Sequence, residues 1–181
     1  IIGDELEPPY ERPTLSKEFL SGTEPQPVYL ADETRWSDLN VALTLGMSAV
    51  EIDREARTVR LSDGAVASYD HLILATGGRA RRLEVQDHPR IHHLRTTEDA
   101  RRLAAAVRPG ARAVVVGGGV IGLETASTLV ELGLSVIVLE AGPRRLGRNI
   151  PADGAVWLAA AHDRIGVEIR LGTSVAGVEE T

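Results

Sequence analysis

Ala113-Val114-Val115-Val116-Gly117-Gly118-Gly119-Val120-Ile121-Gly122-Leu123-Glu124 is the stretch that decides how this chain folds. Ala113 to Val116 is a short apolar run suited to a strand, and it breaks at once into Gly117-x-Gly119-x-x-Gly122. Val120 to Leu132 continues as a helix that Gly133 ends, and Ser135 to Leu139 forms a second strand. A glycine triplet of this spacing is weak evidence alone. Between a strand and a helix, with a second strand following, it predicts a dinucleotide-binding βαβ unit over residues 113–140. Gly117 permits the tight turn, Gly119 lets the backbone approach a pyrophosphate, and Gly122 lets helix and strand pack closely. The pyrophosphate is then expected on the N–H groups of Val120 and Ile121 and the positive end of the helix dipole.

The second strand runs into Glu140, 18 residues after Gly122. A carboxylate there accepts hydrogen bonds from the adenosine ribose hydroxyls and repels a 2′-phosphate, which favours NAD(H) over NADP. Arg144 and Arg145 follow closely and pull the other way. The bland alternative, a glycine turn that holds nothing, leaves the strand, helix, spacing and acid unexplained together.

Working outward, Thr97 reads as a helix N-cap, with Glu98 and Asp99 in the first turn and Pro109-Gly110 as the stop after about Val107. Residues 79–95 carry five arginines and read as a linker. Leu72-Ile73-Leu74-Ala75 is a continuous apolar run, the pattern of a strand buried on both faces, ending at Thr76-Gly77-Gly78. Val41 to Thr44, Ser48 to Ile52 and Arg57 to Leu61 are strand-like, and Asp63-Gly64 is a hairpin signal, so residues 48–69 read as an antiparallel meander. Residues 1–27, with five prolines, read as extended loop around a short helix from Leu15 to Leu20 capped by Thr14 or Ser16. On the C-terminal side, Pro151 opens a helix to about Ile165, and Val167 to Leu171 and Ser174 to Val178 read as strands.

Composition narrows the function. A net charge of −6 and no basic patch argue against a nucleic-acid binder. No apolar run is long enough for a membrane span, the first residues do not read as a signal peptide, and a cytoplasmic location is expected. Cysteine is absent, which removes disulfides, thiolate metal ligation and thiol catalysis from these residues. The adjacent His92 and His93 lack metal-ligand spacing and a partner cluster, so no metal site is expected. Among 19 arginines there is one lysine, Lys17.

Four segments in order resemble the FAD-dependent pyridine nucleotide reductases: Tyr10-Glu11-Arg12-Pro13-Thr14-Leu15-Ser16-Lys17, Leu72 to Gly77, Leu94-Arg95-Thr96-x-x-Asp99-Ala100, and Val115 to Glu124. In pattern the chain is most similar to the ferredoxin and rubredoxin reductases, including the reductase components of aromatic-ring dioxygenases and some cytochrome P450 systems. The resemblance implies an α/β, Rossmann-like FAD/NAD(P)-binding fold, three-layered, with a parallel sheet plus an antiparallel β-meander in two partial domains. Residues 1–80 would be part of the FAD-binding domain and residues 81–181 a C-terminally incomplete NAD(H)-binding domain. The family's N-terminal FAD glycine motif and C-terminal domain have no counterpart here. The chain therefore reads as a fragment, expected to be inactive alone.

The activity implied is hydride transfer from NADH to FAD, then electron transfer to a small iron–sulfur acceptor of the ferredoxin or rubredoxin type. Alternatives are the reductase region of a larger nitrite-reductase-like enzyme and a non-catalytic NAD-binding or sensing module. The resemblance sets Lys17 beside the flavin, paired with Glu124, as the catalytic candidates. It sets Arg12, Pro13, Lys17, Ala75, Thr76 and Gly77 along FAD. The NAD set is Gly117, Gly119, Val120, Ile121, Gly122 and Glu140. As to single residues, Trp36 and Trp157 are expected to pack, His162 to lie at the surface, and Arg79, Arg81 and Arg82 to be a solvated linker or a face for an acidic partner.

Overall fold

The computed structural model describes residues 1–83, 88–146 and 150–178. The chain forms two compact units, one of Ile1–Glu11 with Val28–Arg79 and one of Arg12–Pro27 with Ala80–Thr181. The family-like segment from Arg12 to Lys17 thus groups with the glycine motif rather than with the meander.

In the first unit, β1 (Ile2–Gly3) pairs in parallel with β2 (Thr44–Leu45), shorter and later than the expected Val41–Thr44. The meander forms as predicted: β3 (Ala49–Asp53), β4 (Thr58–Leu61) and β5 (Val66–Ser68) are antiparallel neighbours. Aspartates close both turns. Asp53 accepts from the N–H groups of Glu55 and Ala56, and Asp63 accepts from Ala65 N–H beside Gly64 at φ 89°. A helix the sequence reading missed, α2 (Glu33–Asp38), starts at Asp32, whose carboxylate accepts from Arg35 N–H at 2.7 Å.

Leu72 to Ala75 departs from expectation. It is not a strand, and Ile73 is 88% exposed. A strand buried on both faces needs hydrogen-bonded neighbours and a covering layer on each side. Among the described residues nothing pairs with this segment.

The second unit holds the parallel sheet. β6 (Arg112–Val116), β7 (Ser135–Glu140) and β8 (Glu168–Leu171) lie in that order, with Arg112 opposite Ser135 and Val138 opposite Ile169. Between β6 and β7 runs α4 (Val120–Glu131), and α5 (Ala152–Arg164) precedes β8. Leu123, Ala126 and Leu129 recur at helical spacing on α4 and pack with Val136 and Val138 of β7, and with Leu20, Leu134, Leu146 and Val167. This core contains no aromatic side chain. The opposite face of β6 shows Val114 and Val116 at 61% and 47% exposure.

α3 (Thr97–Ala106) is capped one residue earlier than expected. Thr96 accepts from Asp99 N–H, while the Asp99 carboxylate accepts from Thr96 N–H and Arg95 N–H, a reciprocal capping box. Thr97 is instead the first helical residue.

A 3-10 turn (Arg12–Ser16) and α1 (Glu18–Ser21) replace the single helix expected over Leu15–Leu20. Neither Thr14 nor Ser16 caps α1. Lys17 holds that position without a side-chain cap, and the Ser16 hydroxyl takes a tertiary partner instead. Ser174 to Val178 is not a strand. After β8 the chain is held by bonds from Gly172 N–H to Gly142 O and from Thr173 N–H to Glu140 O.

Two expectations on α5 reverse. Ala155, Leu158 and His162 share its inner side, with His162 buried and its Nδ1 2.8 Å from the Leu158 carbonyl, whereas Trp157 is 69% exposed. Trp36 is half-buried, as a packing residue should be. No helix among the described residues is long and apolar enough to cross a membrane.

Candidate functional site

The glycine turn forms between β6 and α4. Gly117 sits at φ 108°, a conformation that side chains disfavour, and its N–H donates to Leu139 O on β7. A Cβ on Gly122 would run into the Gly117 carbonyl oxygen, so glycine is required there by contact. In front of Gly119 a Cβ would meet nothing, which leaves the approach to α4 open. Gly119 is the N-cap and supplies no side-chain cap. The first helical bond is made by Leu123 N–H to Gly119 O, so the amides of Val120 and Ile121 have no partner within the helix. Val120 and Ile121 are also 44% and 50% exposed. Open amides at a helix N-terminus are the donor set a pyrophosphate needs.

Glu140 is brought to this turn as expected, and more tightly than spacing alone indicates. Its Oε2 accepts from Gly118 N–H and its Oε1 from Gly142 N–H, both at 2.7 Å. The acid is thus clamped between the glycine turn and the loop after β7. A Cβ on Gly118 would lie 3.1 Å from the Glu140 Cβ and 3.2 Å from Oε2, so a side chain at the middle position of the motif would press on the acid. Each carboxylate oxygen keeps a lone pair for a ribose hydroxyl. The donor and acceptor set therefore fits NAD(H). Arg144 Nη1 donates to Ile150 O, and Arg145 Nη2 lies 3.5 Å from Asp163 Oδ1 with its side chain 12% exposed. Arg144 is thus engaged by the protein, whereas Arg145 Nε and Nη1 are buried with no hydrogen-bond partner among the described residues.

A second cluster lies in the same unit. Lys17 Nζ is 2.8 Å from Glu124 Oε2 and donates to Pro13 O at 3.0 Å. The predicted pair is formed, with side-chain exposures of 38% and 29%. Two residues the sequence reading gave no site role complete it. The Ser16 hydroxyl donates to the same Glu124 Oε2 at 2.7 Å, and the Thr128 hydroxyl donates to Ser16 O at 2.7 Å. Thr128 stands four residues from Glu124 on α4, a spacing that places both on one helix face and could have flagged it. Arg12 Nη1 donates to Arg95 O at 2.8 Å, away from the pair. Ala75, Thr76 and Gly77 belong to the first unit. A lysine ammonium and an arginine suit an anionic or electron-rich cofactor in their chemistry. Among the described residues no group of three or more His, Cys, Asp or Glu could hold an ion.

Near the N-cap of α3, two groups titrate abnormally. Desolvation raises the Asp99 carboxyl, but hydrogen bonds from Thr96, Arg102 and Arg95 outweigh it and hold the carboxyl below its ordinary value. Burial, followed by the nearby Arg102 and His93, lowers His92.

Fold and site together define a dinucleotide-binding α/β protein of the βαβ type. The family model described as pyridine nucleotide-disulphide oxidoreductase matches residues 1–181, and the chain belongs to that family. It is 37% identical over 179 residues to the benzene 1,2-dioxygenase system ferredoxin–NAD(+) reductase subunit of Pseudomonas putida, covering 98% of this chain and 44% of that protein. It is 39% identical over 178 residues to rhodocoxin reductase of Rhodococcus erythropolis, covering 97% and 42%. Among solved structures it matches the covalent putidaredoxin reductase–putidaredoxin complex with a TM-score of 0.91, 36% identity and coverage of 99% and 45%. For the ferredoxin reductase of the CYP199A2 system from Rhodopseudomonas palustris the TM-score is 0.93, at 33% identity and coverage of 99% and 45%. The chain spans less than half the length of these relatives.

Proposed function

We propose that the protein containing this chain is an NADH-dependent FAD reductase that passes electrons to a ferredoxin- or rubredoxin-type iron–sulfur acceptor in the cytoplasm. The observation that carries the reading is the clamped acid at the open glycine turn, a ready site for the adenosine half of NADH. Relatives named as ferredoxin–NAD(+) reductases and rhodocoxin reductase support the direction of electron flow. Residues 81–181 would form the core of the NAD(H)-binding domain, and residues 1–80 part of the FAD-binding domain.

Bound FAD would supply the two-electron to one-electron exchange, taking hydride from the nicotinamide and giving up electrons singly. Gly117, Gly119, Val120, Ile121 and Gly122 hold the NADH pyrophosphate, and Glu140 accepts from its ribose. Lys17, held by Glu124, supplies a fixed positive charge that favours the reduced, electron-rich cofactor. Arg12, Pro13, Ala75, Thr76 and Gly77 would contact FAD.

The test is direct. The full-length protein should purify yellow or take up added FAD, and should reduce a ferredoxin faster with NADH than with NADPH. A protein that binds NADH but stays colourless with FAD, and turns over no one-electron acceptor, is a sensor rather than a reductase.

A further inference from the structure

The Lys17–Glu124 pair is not held by its own attraction. Both side chains are partly exposed, and such a pair contributes little in water. A lysine has four rotatable bonds to immobilise, an entropic cost that a loose ion pair does not offset. What surrounds the pair is different. Ser16 is 4% exposed and Thr128 is 5% exposed. The Ser16 hydroxyl and the Lys17 ammonium converge on a single oxygen, Glu124 Oε2, at 2.7 and 2.8 Å. The Thr128 hydroxyl, one turn further along α4, holds the backbone carbonyl of Ser16 at 2.7 Å. The turn preceding the lysine is therefore tied to α4 twice, once by side chain and once by backbone. The ammonium is tied back to that turn through Pro13 O at 3.0 Å. One Lys17 N–H and the Glu124 Oε1 have no partner among the described residues.

We propose that Ser16 and Thr128 are positioning residues: their hydroxyls fix Glu124 Oε2 and the Ser16–Lys17 backbone, and thereby the site of the Lys17 ammonium. Ser16 orients the carboxylate, and Thr128 sets the height of the turn along α4. A hydrogen bond to a charged acceptor is stronger than one between neutral groups, so the tie from Ser16 to the Glu124 carboxylate is stronger than the tie from Thr128 to the neutral Ser16 carbonyl. The consequence for the cofactor rests on the reading above that Lys17 lies beside the flavin.

Two readouts in the full-length protein test this. The first needs no flavin: the rate at which an amine-directed acylating reagent modifies Lys17, followed by peptide mass spectrometry. The ammonium borders an open cavity of about 620 Å³ lined by Lys17, Glu124, Leu123, Leu158 and His162, so reagent can reach it. Ser16→Ala and Thr128→Val should each raise that rate, Ser16→Ala on the order of tenfold, as loss of one charge-assisted bond implies. Ser16→Thr, which keeps a hydroxyl, should stay nearer the wild-type rate. Thr128→Val keeps side-chain volume and serves if Ser16→Ala does not fold.

The second readout is the flavin midpoint potential. Lys17→Met should make it more negative, and Ser16→Ala should shift it the same way by a smaller amount. Unchanged Lys17 reactivity in folded Ser16→Ala and Thr128→Val overturns the proposal. So does a potential that moves in Lys17→Met but not in Ser16→Ala. A potential indifferent to Lys17→Met refutes the flavin placement instead, and the reactivity result then still decides the role of the two hydroxyls.

Discussion

Replacing Glu140 by glutamine separates the clamp that the carboxylate forms from the ribose role proposed for it. Its two oxygens accept from Gly118 N–H and Gly142 N–H at 2.7 Å. An amide has one acceptor oxygen and one donor nitrogen. In Glu140→Gln one backbone N–H must face an NH2 group, and the surviving bond loses its charge assistance. Hydrogen bonds to charged groups contribute about 1.5–3 kcal/mol. Because Glu140 is half-buried and water can partly compensate, the net loss should be roughly 2 kcal/mol. For a protein of this size that corresponds to a fall in Tm of about 4–8 °C, visible by circular dichroism without any ligand.

The cofactor effect is separate. Ribose hydroxyls would meet a neutral, mis-set amide, and loss of about 1.4 kcal/mol weakens NADH about tenfold. The NADPH 2′-phosphate would lose a repelling charge, so its affinity should hold or rise. Calorimetric titration with both nucleotides reads the ratio, which should move toward NADPH by tenfold or more. A fall in Tm with an unchanged NADH to NADPH ratio would make Glu140 a latch for the glycine turn and refute its ribose role. Wild-type Tm and wild-type affinities together would refute the clamp as well.

Two further perturbations test neighbouring features. A Cβ at Gly119 meets nothing while one at Gly122 collides with the Gly117 carbonyl oxygen, so Gly119→Ala should melt within about 2 °C of wild type yet bind NADH at least about tenfold more weakly, whereas Gly122→Ala should lose fold stability and binding together. Equal affinity of Gly119→Ala and wild type would show that the pyrophosphate does not approach there. At the start of α3, the folded-state pKa values of Asp99 and His92 are both depressed, so the unfolded chain binds more protons and stability falls with acid. The His92 contribution should be lost first, as pH drops below the ordinary histidine range toward its lowered value. The Asp99 contribution should be lost below the ordinary carboxylate range. Asp99→Asn should cost about 1 kcal/mol at neutral pH, and that difference from wild type should vanish at low pH in melts followed by circular dichroism.

How much of this was legible in sequence depends on whether the deciding interaction is local. The βαβ unit was readable because a turn at positive φ, a helix start and a helix stop each act within a few residues. The start of α3 was read one residue late, at Thr97, because the acids of the first turn mark a helix start without fixing the cap, whereas the three-residue spacing from Thr96 to Asp99 is the one that closes a capping box. The inner side of α5 carries Ala155, Leu158 and His162 at spacings of three and four, which places Trp157 elsewhere on the helix. Leu72 to Ala75 was not readable, because apolar character permits burial but neighbouring strands cause it. Nor was the partner of Ser16. A serine beside a helix start reads as a cap, and only the fold places its hydroxyl against a carboxylate 108 residues away.

One helix serves both candidate clusters, and its electrostatics show how. The N-terminus of α4 carries partial positive charge that an anionic pyrophosphate would exploit. Glu124 lies only two residues past Gly122, where an unpaired carboxylate would compete for the same dipole and repel the ligand. Its charge is instead offset by the Lys17 ammonium and its Oε2 is held by Ser16. The pair therefore has a consequence at the nucleotide end of the helix as well as at the lysine. Charge reversal of the lysine alone would leave Glu124 unbalanced near the open amides, and it would be expected to weaken NADH binding although Lys17 is not part of the glycine turn. Neutralising both partners together should restore that binding while leaving the lysine site without its cation. The glycine turn and the Lys17 cluster thus share α4 not only as a support but as a common charge balance.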